Sequence, residues 1–138
     1  MTFSSPRISL GQKINKKDTY ELSRFASSQY IVGGSAKLLK FFIKKYSPKN
    51  IYSYSDNRWT DPNNNMYLKL GFNRMASSSP GYFYTKDYLV RIHRYNFNKG
   101  ILKKLGADMN KTEKEIMDDL DYDRIWDCGS TRYELNIF

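Results

Sequence analysis

Val32-Gly33-Gly34-Ser35-Ala36-Lys37-Leu38-Leu39-Lys40-Phe41-Phe42-Ile43-Lys44-Lys45-Tyr46 reads as a glycine turn running into the clearest helix of the chain. Leu38, Leu39, Phe42, Ile43 and Tyr46 recur at helical spacing, while Lys37, Lys40 and Lys44 share another face. Ser47-Pro48 stops the helix, because the residue before a proline is pushed out of the helical region.

The signals on either side alternate between strand and helix. Residues 20–26 and 30–32 are short apolar pieces before the glycines, and residues 50–55 (Asn-Ile-Tyr-Ser-Tyr-Ser) alternate as a strand does. Asn63-Asn64-Asn65 opens a short helix that Gly71 closes, and residues 76–81 read as a loop. Residues 82–84 and 88–95 read as two strands, and residues 97–105 as a short basic helix stopped by Gly106. Thr112 and Glu115 have capping-box spacing and start an acidic helix. Residues 124–126 and 133–135 flank Gly129-Ser130 as a closing hairpin. One long helix across a mainly β layer predicts an α+β, or α/β sandwich, fold. At 138 residues the chain is expected to be a single domain, 1–138, with 106–138 as its acidic helix and hairpin.

Composition narrows the class. With 40% of residues apolar and 16% aromatic, the chain has the side chains to build a core and is no disordered tail. The most apolar run, residues 38–43, is broken by Lys40, which excludes a membrane-spanning helix, and residues 1–10 lack the apolar segment of a signal peptide. The single cysteine, Cys128, cannot form an internal disulfide, and the single histidine, His93, lacks the partners of a metal site. No metal is expected, and the simplest compartment is the cytoplasm. Charge is unevenly spread. Lys and Arg outnumber acids ten to two over residues 1–50 and nine to three over 51–105, whereas acids lead nine to four over 106–138. A basic body with an acidic end suits an anionic partner, either nucleic acid or a phosphorylated cofactor, although solubility alone would also explain it.

Gly33, Gly34, Ser35, Ala36 and Lys37 lie where unpaired amides and the positive end of a helix dipole together favour a phosphate; an ordinary N-cap loop is the plainer reading. Asp56 and Arg58 follow the strand of residues 50–55, a position suited to a carboxylate base or a substrate-orienting pair, or simply to a turn. Arg91, His93, Arg94, Lys99, Lys103 and Lys104 are interleaved with Tyr88, Tyr95 and Phe97, a mixture that fits a DNA-contacting surface as well as a solvated segment over core aromatics.

The glycine turn, the helix, the strand and then Tyr67-Leu68-Lys69-Leu70-Gly71-Phe72 together resemble the core pattern of the GNAT acyltransferase fold. That resemblance implies a mixed sheet with one long helix packed on it. It makes Gly33, Gly34, Ser35 and Ala36 the turn holding the pyrophosphate of acyl-coenzyme A and Tyr67 the general acid; an active transferase would add the Lys37 amide to that turn and Asp56 as base. Tyr30 stands where this turn has Arg or Gln. A wider likeness runs through residues 1–4, 20–25, 32–38, 54–59, 67–72, 80–84 and 124–129, and is similar to GNAT-like domains of bacteriophage homing endonucleases, related to Mom-type phage DNA-modification proteins. No nuclease region accompanies it, and the first strands of a full GNAT fold are expected to be missing.

Three functions follow as expectations. The first is a phage GNAT-like domain that engages DNA inside the infected bacterial cell, with Arg58 joining the basic set above. The second is an active acyl-coenzyme A-dependent N-acyltransferase. The third is a phage inhibitor of a host defence protein, which would bring a host or phage protein partner. A truncated sheet would leave an edge open to a second copy, so a homodimer is a further expectation.

Overall fold

A computed structural model describes residues 1–6 and 17–138 and has a mixed α+β architecture. Part of the opening segment read for a leader, residues 7–10, lies outside the described residues. The chain divides into two compact units, residues 1–78 with 129–138, and residues 79–128. The expected single domain therefore has an internal division that its length did not announce.

The first unit is a five-stranded mixed sheet. Its strands are β1 (Thr2–Ser4), β2 (Thr19–Arg24), β3 (Asn50–Asp56), β4 (Asn73–Ser77) and β8 (Ser130–Asn136), in the order β1-β2-β3-β8-β4. β2 and β3 are parallel and joined through helix α1 (Gly34–Tyr46); the other pairs are antiparallel. Helix α1 begins at the expected glycines and ends at Ser47, whose amide bonds the Ile43 carbonyl. Its Leu39 and Phe42 are buried with Leu22, Ile51, Phe72 and Tyr133. Each such side chain taken out of water contributes roughly 1.5–3 kcal/mol, so the apolar stripe of α1 holds the helix on the sheet. Helix α2 (Met66–Lys69) is capped by the Asn65 side chain, and Gly71 follows it at φ 86°, the left-handed conformation that glycine adopts without strain.

The second unit is a small antiparallel sheet of β5 (Tyr82–Thr85), β6 (Ile92–His93) and β7 (Asp123–Trp126), in the order β6-β5-β7. Helices α3 (Lys99–Lys104) and α4 (Glu113–Asp119) complete it around Tyr84, Phe97, Leu102, Ile116 and Met117. The capping box at Thr112 and Glu115 forms as expected.

Three local expectations need correcting. The closing hairpin does not form: β7 pairs with β5, whereas β8 inserts between β3 and β4, so the two strands belong to different sheets. The burial of Tyr133 against Ile51 and Leu22 outweighs the local turn at Gly129-Ser130. The strand expected over 88–95 shrinks to Ile92–His93, because Asp87 Oδ1 accepts the Leu89 and Val90 amides and the His93 ring accepts the Tyr95 amide. Finally, β4 extends into the segment read as loop; all five of its residues are exposed, so no apolar alternation marks it.

Candidate functional site

The parallel pair β2 and β3 stays in register from Thr19↔Asn50 to Glu21↔Tyr52. Past that point the pairing stops, and Ser53 Oγ donates a hydrogen bond to the Leu22 carbonyl at 2.7 Å. The carboxyl ends of the two strands thus part in a fork. A crevice at the carboxyl end of parallel strands is where open α/β sheets place ligands.

Beside this end lies a cavity of about 510 Å³. Ser27, Gln29, Gly33, Gly34, Ser35, Ala36 and Lys69 give its polar rim, and Phe25, Ile31, Leu38, Met66 and Leu70 its apolar wall. Gly33 is the residue before α1, at φ 70° with open space around it. It holds the turn that brings the helix start to the cavity. The Gly34 amide closes onto the Ile31 carbonyl at 3.1 Å, and the Lys37 amide onto the Gly33 carbonyl at 3.0 Å. No side chain caps α1, and no acid sits in its first turn. Of the predicted cradle, Gly34 and Lys37 are therefore committed internally, while Ser35 and Ala36 present uncapped amides at a positive helix end beside the cavity.

Tyr67 does not line this cavity. Its ring stacks on Tyr133 at 4.8 Å and packs in the core, and its hydroxyl lies 3.2 Å from Ser53 Oγ, at the fork. Helix α2 instead gives the cavity Met66 and Lys69. Asp56 is exposed and shapes a turn, with Oδ1 accepting the Arg58 amide at 2.8 Å. Arg58 stands over the exposed Trp59 ring.

The other predicted nucleic-acid contacts fall in the second unit. Arg91, His93, Arg94, Lys99, Lys103 and Lys104 are all exposed there, and His93 stacks on Tyr95. Phe97, read as an interleaved aromatic, is core instead. The second unit carries nine Lys and Arg against nine acids, and the first carries fourteen against five. The net charge of +9 thus resides on the first unit. Blocks counted along the sequence concealed this, because the acidic end and the basic middle belong to one folded unit.

Sequence reasoning missed Glu21. It is 1% exposed on β2, lies between Tyr20 and Leu22, and takes a 3.4 Å hydrogen bond from Tyr52 Oη. Strand alternation puts it on the sheet face opposite Leu22, which belongs to the α1 core. Tyr52 and Tyr54 share that face with Arg132, whose guanidinium lies over the Tyr52 ring at 4.7 Å and pairs with Glu134. An acid flanked by two apolar strand residues was the available signal.

In the second unit, Glu113 Oε1 accepts hydrogen bonds from both Tyr82 Oη (2.8 Å) and Tyr84 Oη (2.7 Å). Burial first, and then this carboxylate, push the Tyr84 phenol well above the ordinary tyrosine range, while Arg124 pulls the other way. Among the described residues no cluster of metal-ligating side chains occurs, and no helix is long and apolar enough to cross a membrane. Compared with known proteins, the sequence matches no family model and no curated protein.

Proposed function

We propose that the first unit is a GNAT-like cofactor-binding fold whose cavity takes an acyl-coenzyme A and serves N-acyl transfer. The observation that carries this reading is the pair of uncapped residues, Ser35 and Ala36, at the rim of a cavity just past the carboxyl end of β2, which runs parallel to β3. The residues fit such a group. A diphosphate would sit on the two amides with Lys69 on the same rim, and the thin pantetheine chain of the cofactor, with its amides and methyl groups, would lie along Phe25, Ile31, Leu38, Met66 and Leu70. The thioester of such a cofactor supplies an acyl group activated for attack by an amine.

The chain's own part is to place a proton carrier at the fork. Neither Glu21, buried on the opposite face of the sheet, nor Asp56, held in an exposed turn, lines the cavity. Tyr67, with its hydroxyl at Ser53, keeps the role of proton donor. Acetyl-coenzyme A at millimolar concentration is expected to raise the melting temperature of the protein, since it binds the folded state alone. No shift at that concentration removes this reading.

A second reading is favoured by the concentration of net charge on the first unit: the domain engages DNA, as the likeness to phage GNAT-like domains implies. The two readings are compatible, one concerning the cavity and the other the surface.

A further inference from the structure

We infer that the outer face of α1 is a docking surface for the phosphodiester backbone of a nucleic acid, an inference that deepens the DNA-engaging reading above and rests on it. Lys37, Lys40, Phe41, Lys44 and Lys45 are all exposed. At about 100° per residue they fall within an arc of about 140°, opposite the Leu39 and Phe42 stripe that packs on the sheet. The helix contains four lysines and no acid. Among the described residues, none of the ion pairs involves a lysine of α1. These charges are held close together on a rigid element without neutralisation, and a polyanion relieves that repulsion by releasing its own counterions.

The dimensions agree. Lys37 to Lys45 spans about 12 Å of helix, a length over which a duplex presents about seven phosphates. Phe41, 63% exposed in the middle of the stripe, has no core role and offers its ring to a sugar or an unstacked base, with Lys45 Nζ 5.8 Å from its centre. A lipid surface suits this helix less well. A membrane-bound amphipathic helix buries its apolar face in the bilayer, whereas the apolar face of α1 is already committed to the sheet. The cations predicted from sequence in the second unit lie among an equal number of acids, so they give way to α1 as the principal contact.

The test measures anisotropy of a labelled duplex of about 20 base pairs against salt, starting at about 50 mM, for three full-length proteins: the native chain, K40Q/K44Q/K45Q, and K99Q/K103Q/K104Q. Four phosphate contacts predict a log–log salt slope of about −3.6 for the native protein, falling to about −0.9 in the α1 variant, with binding at least about tenfold weaker. The second-unit variant should keep the native slope. Thermal melts check that the variants fold, and an unchanged acetyl-coenzyme A shift checks that the cavity is intact. If the α1 variant binds as the native protein does while the second-unit variant loses binding, the surface is overturned and the DNA reading survives. If the native chain fails to bind at about 50 mM salt, both fall. Native-chain binding to vesicles of equal parts phosphatidylcholine and phosphatidylserine, lost in the α1 variant and without any DNA binding, also overturns the surface.

Discussion

Ser35→Asp separates stability from ligand binding at the same two amides. Helix α1 starts with no side-chain cap and no acid in its first turn, so a carboxylate at position 35 adds a favourable charge to the positive helix end, about 0.3–1 kcal/mol. The position is half-buried at the rim of the cavity. The variant should therefore melt slightly higher than the native protein. A diphosphate on the same amides would meet the new charge at close range. Two like charges about 4 Å apart repel by about 1 kcal/mol in bulk water and about 4 kcal/mol at an effective dielectric constant near 20. Affinity should fall at least about tenfold, which removes roughly 1.4 kcal/mol of ligand-dependent stabilisation at saturating cofactor. Urea melts with and without acetyl-coenzyme A, together with calorimetric titration, read both effects. Ser35→Ala is the control, with little change in either. A Ser35→Asp protein that loses stability, or that keeps the native cofactor shift, would falsify the placement of those amides at an anion site.

Three other outcomes follow from the packing. Removing the shared acceptor in Glu113→Ala leaves two tyrosine hydroxyls without their acceptor, the fully buried Tyr84 keeping only its Arg124 donors, and should cost about 1–3 kcal/mol in chemical denaturation; Glu113→Gln keeps a carbonyl acceptor and should cost less than about half of that. Because the folded-state pKa of Tyr84 is raised, its contribution is complete below the ordinary tyrosine value of 10.0 and is lost as the pH rises past it, when the unfolded chain releases the proton that the fold retains. Stability measured against pH should decline above pH 10, and Tyr84→Phe should flatten that decline; an equally steep decline in the variant would dismiss Tyr84 as its source. Ser53→Ala leaves the buried Leu22 carbonyl without its side-chain donor and should destabilise the first unit by about 1–3 kcal/mol, read as a lower denaturant midpoint with unchanged slope.

The sequence by itself determined the elements whose signals are local. The glycine start and proline stop of α1, the asparagine cap and glycine end of α2, the alternation of β3, the stop at Gly106 and the capping box of α4 each depend on residues a few positions apart. Backbone geometry and helix periodicity act at that range. The placement of Gly33, Gly34, Ser35 and Ala36 beside a cavity was legible for the same reason, since a glycine turn before a helix carries its amides with it. Only the tertiary structure decided what those elements meet. It sent β7 and β8 to different sheets, turned Tyr67 into the core with its hydroxyl at the fork, held Asp56 in a turn and buried Glu21. It also moved the net charge onto one unit by folding the acidic end together with the basic middle. Strand pairing and burial are chosen by contacts far apart in the chain, where the free energy of excluding water from Tyr133, Ile51 and Leu22 exceeds any local turn preference.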